Sequence, residues 1–369
     1  MVETLKKMDK KFLIFAVAII MFPIVLVILL AIVRGCSNSK MTYTSYEKKM
    51  ISATERYLKG KLPKEESGVK TISLSKLVDK GYIRSPKKAL KDDSCEGSVT
   101  VRMNGSSIET NNGGFLNYTV DLKCKTYKTT HLIDKITEVV VTSESGLYKD
   151  GNEYIFRGNK VNNYINFYGI NYRIMSTDED GFIKLIKDSP EPSTRYWDNK
   201  YNVEVDSSYG KNIYKDSSIL SYLLSDYQNS KRINKKAKQH MVAHDVCVGK
   251  RNSNDYSISK DLDCSEILEN QIVSLINVSD YARASIDPNC TTTISKSCKN
   301  YNYLSNVSSS SWTTNSIKDN TYEVLFLSDG VQEIQNANTY NEYNVVIYID
   351  GSEIYQGGRG TLSDPYILD

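Results

Sequence analysis

Residues 164–187, YINFYGINYRIMSTDEDGFIKLIK, decide the fold of this 369-residue chain. Apolar and polar residues alternate through 164–175 and again through 182–187, and the acidic, glycine-containing segment 178–181 lies between the two runs. Alternation with a period of two is typical of β-strands, and an Asp-Gly segment between two such runs is typical of a hairpin turn. With a further run at 154–157, the stretch predicts an antiparallel meander.

On the C-terminal side of the meander, helical and strand patterns alternate. Helices are predicted at 219–227 and 231–242, and a short one begins at Ser279 and ends at Ala284. Strands are predicted at 271–276, 322–327, 331–334 and 345–349. This order predicts a mixed α+β domain over residues 145–369.

On the N-terminal side, a smaller α+β domain is predicted over residues 41–130. Residues 43–58 carry apolar side chains three and four positions apart, which predicts an amphipathic helix, and 73–77 predicts a second, short one. Strand patterns then run through 98–123 around an Asn-Asn-Gly-Gly turn. The β-branched run 137–142 predicts either a strand between the domains or the first strand of the second domain.

Residues 12–33 form an uninterrupted run of 22 uncharged residues. As a helix this run would be roughly 33 Å long, which matches a hydrocarbon core of about 30 Å, so we predict one transmembrane helix. Four lysines precede it and few basic residues follow closely, so the positive-inside rule predicts a cytoplasmic tail at 1–11 and an extracellular remainder. A lipoprotein signal is the alternative, because Gly35-Cys36 follows, although Arg34 occupies the place of a small uncharged residue.

The seven cysteines support an extracellular location. Six cysteines allow many connectivities, and we predict local pairs from their spacing and from the expectation that a bridge stays within its own domain. The predicted bridges join Cys95 to Cys124, Cys247 to Cys264 and Cys290 to Cys298. For Cys36, acylation, an intermolecular bridge and a free thiol are all open.

Charge excludes one class of partner. The predicted cytoplasmic tail holds four of the 47 basic and two of the 44 acidic residues, so the remainder is close to neutral. A neutral ectodomain carries no electrostatic footprint for nucleic acid. The 27 tyrosines fit a binding surface, and they fit equally well the composition of an AT-rich genome.

No residue pattern predicts catalysis, a cofactor or a metal site. The chain has three histidines to act as an imidazole base, no Gly-x-Ser-x-Gly elbow accompanies them, and paired cysteines offer no free thiol. His240 and His244 are four residues apart, a spacing that allows one metal-binding helix face. We favour structural roles for both, with His244 and Asp245 as a hydrogen-bonded turn pair, and we predict that the protein is not an enzyme.

The predicted binding residues are Trp197, Asp198 and Trp312. Each tryptophan has tyrosines close to it in the sequence, and such rings stack on sugars or insert into a partner surface. The alternative for both tryptophans is burial in a sheet-based core.

The N-terminal part resembles the pilin and pseudopilin family. The resemblance is carried by an apolar helix that continues into an amphipathic one, the helical turn at 73–77, Gly81-Tyr82-Ile83, and Pro86 before a disulfide-bearing sheet. The segment Lys10-Lys11-Phe12-Leu13-Ile14 lacks the glycine and the glutamate of the family's processing signal. The resemblance therefore implies a small pilin-like domain on a static anchor.

The C-terminal part resembles an uncharacterised surface domain of Gram-positive bacteria. That domain is similar in plan to C-type-lectin-like folds, including those of formylglycine-generating enzymes. The motifs that carry the resemblance are Tyr172-Arg173-Ile174, residues 180–186, Tyr196-Trp197-Asp198, residues 244–249, Asn302-Tyr303-Leu304 and residues 360–367. The resemblance implies the fold but no agreed activity, because neither the lectin calcium motifs nor the enzyme's reactive cysteines map onto this sequence.

The fold expectation is thus α+β, with a transmembrane helix, a pilin-like domain and a C-type-lectin-like domain in that order. The functional expectation is a membrane-anchored extracellular binding or adhesion protein that recognises a glycan, a cell-wall polymer or a protein. The alternative is a structural, pilin-like component of a surface assembly, in which Cys36 or the membrane helix mediates self-association.

Overall fold

The computed structural model describes residues 40–61, 68–104, 115–228 and 235–368, together with Met21 and Ile233. Apart from Met21, the predicted cytoplasmic tail and transmembrane helix lie outside these residues, as does Cys36. Within the described ranges, no helix has both the length and the apolar character needed to cross a membrane.

Residues 40–130, the small unit, form helices packed on one antiparallel sheet. The helices are α1 (Tyr43–Tyr57), α2 (Leu74–Asp79) and α3 (Pro86–Ala89), and the strands are β1 (Val69–Ser73), β2 (Glu96–Asn104) and β3 (Phe115–Lys123), in the order β1-β2-β3. Helix α1 begins after Thr42, whose hydroxyl accepts a hydrogen bond from the Ser45 amide. Its apolar face buries Tyr46, Met50 and Ala53 completely. The helices and strands predicted for this unit are confirmed, while the predicted Asn-Asn-Gly-Gly turn at 111–114 lies outside the described residues.

The run 137–142 is not a strand, which corrects that prediction. Helix α4 (Leu132–Ile136) ends just before it, and the Thr137 amide and hydroxyl both donate to the carbonyl of Ile133, so the first residue of the run closes the helix. Val139 and Val140 are exposed, and among described residues no strand pairs with them. A β-branched run becomes a strand only where a neighbouring strand accepts its backbone hydrogen bonds.

Residues 131–368, the large unit, contain the predicted meander at the centre of a seven-stranded sheet. Its strands are β4 (Gly146–Asp150), β5 (Glu153–Arg157), β6 (Tyr164–Phe167), β7 (Ile170–Thr177), β8 (Phe182–Lys187), β17 (Val346–Asp350) and β18 (Tyr366–Leu368). The main order is β17-β8-β7-β5-β4, and β6 pairs with β7 and, in parallel, with β18. Tyr168 and Gly169 both have positive φ, which makes the tight turn that divides the predicted run 164–175 into two strands.

Four more strands form a second sheet, and two pairs stand apart from both sheets. The second sheet has the order β11 (Lys250–Arg251), β13 (Ser311–Ile317), β14 (Glu323–Ser328), β15 (Val331–Asn336). The separate pairs are β9 (Arg195–Tyr196) with β16 (Tyr340–Asn341), and β10 (His244–Cys247) with β12 (Ile267–Gln271). The helices are α5 (Ser218–Gln228), α6 (Lys235–Lys238), α7 (Lys260–Asp263) and α8 (Val278–Arg283).

Two predicted elements of the large unit are shorter than expected. In place of a helix over 231–242, the described residues contain only α6, because Met241 forms a bridge with Ile349 and the Val242 amide donates to Tyr348, which draws the chain onto the edge of the large sheet. The predicted strand 271–276 is reduced to the end of β12 and single bridges at Ser274 and Ile276. In both places a long-range backbone contact replaces the local pattern.

The chain is therefore mixed α+β with more strands than helices, which confirms the predicted class at that level. Its three disulfides join Cys95 to Cys124, Cys247 to Cys264 and Cys290 to Cys298, the pairs that the spacing predicts. The units meet at residues 352–355, where Ile354 is buried in the core of the small unit and the hydroxyl oxygens of Ser352 and Thr119 lie 2.7 Å apart.

Candidate binding surface

Both predicted contact tryptophans are core residues. The side chains of Trp197 and Trp312 are each 0% exposed. The indole of Trp197 donates to the carbonyl of Thr313 at 2.8 Å, and that of Trp312 donates to the carbonyl of Arg195 at the same distance. Neither ring reaches solvent, so the prediction that they form a contact surface is wrong and the alternative of core burial is correct.

Asp198 is also buried, and it organises the loop that follows it. One carboxylate oxygen accepts hydrogen bonds from the Ser218 amide at 3.0 Å and hydroxyl at 2.8 Å, and the other accepts from the Lys211 amide at 2.8 Å. These contacts hold together the two ends of the segment 199–217, which we call the surface loop. Asp198 is thus a positioning residue for the loop and not a contact residue.

Two buried asparagines fix the rest of the surface loop. Asn202 donates to the carbonyls of Gly210 and Thr321 at 3.0 and 3.1 Å, while the Asn212 side chain donates to three carbonyls of residues 317–323. Gly210 has φ +82°, and a Cβ at that position would lie 2.3 Å from the carbonyl oxygen of Asp198. The loop therefore has one tightly tied conformation although it contains little regular structure.

The exposed side of this tied loop carries apolar and aromatic side chains among charged ones such as Glu204 and Asp206. Val203 is 72% exposed and Tyr201 52% exposed, and Val205, Tyr209 and Ile213 are exposed as well. The ring of Tyr209 lies 5.2 Å from that of Tyr322. Exposed apolar side chains that lie together on a surface mark interaction sites, and tyrosine supplies contact area at a low entropy cost.

A groove of about 520 Å³ adjoins the loop surface. Residues 266–271, which include all of β12, form one wall, and residues 212–215 at the end of the surface loop form the other. Within the described part of the chain, β12 pairs with β10 alone, so its second edge has no neighbouring strand. We call this feature the β12 groove.

Lys250 gives the β12 groove a positive group. Its ammonium donates to the side-chain oxygen of Asn212 at 2.8 Å, and no carboxylate of the described residues lies within ion-pair distance. Burial lowers the pKa of Lys250, against the opposing effect of Glu266 and Glu204. A partly buried cation whose only close partner is a neutral amide favours an added carboxylate.

The histidines do not share a face, because they lie on different elements. His244 lies on β10, where its Nε2 is 2.6 Å from the Asp178 carboxylate and its Nδ1 is 2.8 Å from the Asp245 carbonyl. His240 lies after α6, with Nδ1 2.6 Å from the Glu353 carboxylate. Each of the two histidines thus has a carboxylate beside one ring nitrogen. His244 does contact Asp245, as predicted, but through the main-chain carbonyl and on a strand rather than in a turn.

A small cleft of about 160 Å³ beside His244 is lined by paired charges. The ammonium of Lys184 lies 2.6 Å from the Asp280 carboxylate. Burial opposes the charge on Lys184, but the nearby Asp280 carboxylate outweighs it and raises the pKa of the lysine. A lysine that holds its proton in this way is not a general base.

Among the described residues, one cluster has the side chains of a metal site, namely Asp92, Cys95 and Cys124. The two cysteines form a disulfide with each other, so their sulfurs are not available as thiolate ligands. The cluster is a disulfide next to a carboxylate that accepts hydrogen bonds from Ser94.

The predicted binding residues lie next to the surface loop but not on its exposed side. Tyr196-Trp197-Asp198 leads directly into the surface loop, and its members support the loop from below. The sequence analysis did not single out the exposed residues Tyr201, Val203 and Val205. Their alternation with polar residues resembles a strand pattern, which does not predict exposure of the apolar side.

Comparisons of the chain with protein-family models, with curated proteins and with solved structures find no match. The pilin-like and C-type-lectin-like resemblances stay predictions.

Proposed function

We propose that this protein is a membrane-anchored extracellular recognition protein whose large unit binds a protein partner through the surface loop. The observation that carries the proposal is the group of exposed apolar and aromatic side chains on a loop that buried Asp198, Asn202 and Asn212 hold in place. Rigid scaffolds commonly present binding residues on loops of this kind.

The side chains of the loop favour a protein over a glycan. Val203, Val205 and Ile213 contribute aliphatic area, which packs well against apolar protein side chains. Sugar recognition relies instead on aromatic planes surrounded by hydrogen-bonding groups, and the best aromatic candidates for that role, Trp197 and Trp312, are buried. A glycan partner is therefore the competing outcome of the test.

The outward location is supported by the cysteines and the N-terminal sequence. Three disulfides suit an oxidising compartment. The apolar run 12–33 has the length and flanking charges of a membrane anchor with the large unit outside the cell.

One observation favours the structural alternative. The small unit packs a 15-residue helix, α1, on a three-stranded sheet whose end is closed by the Cys95–Cys124 disulfide, the plan that the pilin resemblance implies. In that case, oligomers in detergent would dissociate when Cys36 is reduced or when the membrane helix is replaced.

The test is a selection with the full-length protein in detergent micelles. Fragments of the source organism's proteins displayed on phage, and in parallel a panel of peptidoglycan fragments, teichoic acids and host glycans, are offered to the protein. We expect selected protein fragments to lose at least tenfold in affinity on Val203→Asp, because a carboxylate would be buried against an apolar partner.

Val139→Asp is the matched control, because Val139 is a similarly exposed valine outside the surface loop. The control should leave the affinity unchanged. Binding only to the glycan panel would transfer the proposal to a glycan partner, and fragments equally sensitive to both changes, or no binding at all, would overturn it.

A further inference from the structure

The β12 groove combines three features that are relevant to binding. Its wall at residues 266–271 contains a strand edge without a neighbour in the described part of the chain. Lys250 lies in it and makes no ion pair within 4 Å among the described residues, although Glu266 and Glu204 are near enough to raise its pKa against the effect of burial. Each wall also exposes an isoleucine, Ile267 on the strand side and Ile213 on the loop side.

We infer that the β12 groove binds an extended, acidic segment of the partner as an additional strand on β12, with a carboxylate of that segment on Lys250. The inference rests on the proposed function, because it names the part of the partner that is recognised. Strand addition to a free sheet edge gives affinity through main-chain hydrogen bonds and specificity through side-chain contacts.

The loop-side wall is fixed before any ligand arrives. Asn212 donates to the carbonyls of Ile317, Asn320 and Glu323. The Tyr214 hydroxyl accepts a hydrogen bond from the Leu275 amide at 3.2 Å, and its ring packs on Trp197. A wall held in this way does not collapse onto β12, so little ordering energy is lost when a segment enters.

The chemistry of the segment follows from the groove. Successive side chains of a strand point to opposite sides, so an acidic residue directed at Lys250 has neighbours directed away from it. Apolar residues beside the acidic one can cover Ile213 and Ile267, whose exposed fractions are 45% and 44%. A carboxylate on Lys250 would also oppose the effect of burial, which lowers the pKa of this lysine.

A protected edge is the competing explanation for the same features. Free strand edges are often blunted by charged residues and bulges. The β12 strand carries Glu269, the pairing of β10 with β12 shifts register after His244, and Asn270 has positive φ. Such an edge would bind no segment, and Lys250 would then be a solubilising charge.

The experiment that separates the two explanations uses random ten-residue peptides displayed on phage. Full-length wild-type protein in detergent selects the peptides, and the affinity of each selected peptide is then measured for wild-type and Lys250→Met protein. We expect the selected peptides to contain Asp or Glu, and each should bind wild-type protein at least tenfold more tightly than Lys250→Met. Replacing the acidic residue of the peptide by its amide should weaken binding to the wild-type protein by the same factor. The same replacement should change binding to Lys250→Met only slightly.

Lys215→Met is the matched control, because Lys215 lines the same groove but is exposed to solvent. It should change the affinity less than threefold. N-methylation of the peptide backbone provides a second test: methyl groups on one set of alternate amides should abolish binding, and methyl groups on the other set should not, since only one edge of the peptide faces β12.

Hydrogen exchange of the amides at 267–271 should slow when the peptide is bound. An empty selection, peptides insensitive to Lys250→Met, or equal effects of both N-methylation patterns would overturn the inference. Partner fragments that respond to Val203→Asp but not to Lys250→Met would overturn it while leaving the proposed function intact.

Discussion

The small and large units are held together by different means. The small unit has one helix-on-sheet core, made mainly by neighbouring elements in the chain, and few of its described polar residues are buried. The large unit buries a far larger set of polar residues, among them Asn202, Asn212, Asn277, Asn302 and Asn315. The small unit is stabilised mainly by its buried apolar side chains. The large unit is stabilised in addition by buried amide side chains that donate hydrogen bonds to loop carbonyls.

The difference explains where a binding surface can form. Long irregular segments leave backbone groups without regular partners, and buried groups of that kind must be paired. Buried asparagines do this for the large unit, as Asn302 shows by donating to the carbonyls of Tyr281 and Cys298. A loop whose carbonyls are held by buried asparagines can keep apolar side chains on its exposed side. In a helix-on-sheet unit, most apolar side chains are buried in the core.

Breaking the buried ion pair of the large unit should have the largest effect. The Arg251 Nε donates to Asp263 at 2.7 Å, and both side chains are almost fully buried. Arg251→Met would leave the Asp263 carboxylate uncompensated, at a cost of about 3–5 kcal/mol in unfolding free energy. Urea denaturation measures the loss, and hydrogen exchange should show it in β13 rather than in β2.

Lys299→Met is the control for that change, because Lys299 pairs with Asp329 on the surface. It should cost less than about 1 kcal/mol. Equal losses for the two variants would contradict the distinction between buried and exposed pairs.

Removing one disulfide from each unit should lower the unfolding free energy by different amounts, because the two bridges close loops of different length. Cys95 and Cys124 are 29 residues apart, whereas Cys290 and Cys298 are 8 apart. The chain-entropy model gives losses of roughly 3.5 and 2.5 kcal/mol for the paired Cys→Ser variants. The smaller core should also make the first loss a larger share of its unit's stability, and calorimetry of both variants would reveal a reversed order.

Gly210→Ala tests the tied conformation of the surface loop. The new Cβ would meet the Asp198 carbonyl in addition to adopting positive φ, so we expect a cost of about 1–3 kcal/mol and easier proteolysis within the loop. Gly181→Ala is the control, because Gly181 has a similar φ of +84° and no atom within 4 Å of the added Cβ. Equal losses of stability in Gly210→Ala and Gly181→Ala would mean that the loop accommodates the added Cβ and is not held in one conformation.

The smallest expected effect is electrostatic and lies in the small unit. Glu47 is fully buried and accepts hydrogen bonds from Thr129 at 2.5 Å and Tyr127 at 2.9 Å. Burial raises the pKa of Glu47 above that of the unfolded chain, with hydrogen bonds from Thr129 and Tyr127 opposing it. Its contribution to stability is therefore present at low pH and is lost as pH rises through the folded-state pKa.

Glu47→Gln should remove this dependence. Relative to wild type, the variant should gain stability as the pH is raised from about 4 to 7. Thermal denaturation across that range measures the difference, and a wild-type advantage that grows with pH would contradict the predicted sign.

The sequence pattern predicted the type of a helix or strand correctly where the element packs on, or pairs with, an element close to it in the chain. Helix α1, the hairpin of β2 and β3, and the strands β5 to β8 all have the predicted type, because their periodicity matches the neighbour they pack on. The strand predicted at 137–142 is absent because no neighbouring strand pairs with it, and the helix predicted at 231–242 is shorter than expected because distant backbone contacts hold residues 241 and 242. Trp197 was misjudged for a related reason, since its burial depends on residue 313.

The sequence by itself determined the mixed α+β class, the three local disulfides and the meander, because each depends on spacing between residues close in the chain. Tertiary structure alone decided which aromatic residues are buried and which are exposed. It also decided that the surface loop, β12 and Lys250 form one neighbourhood, since they come from three separate segments. Burial and juxtaposition are set by contacts between segments far apart in the chain, and no local period encodes them.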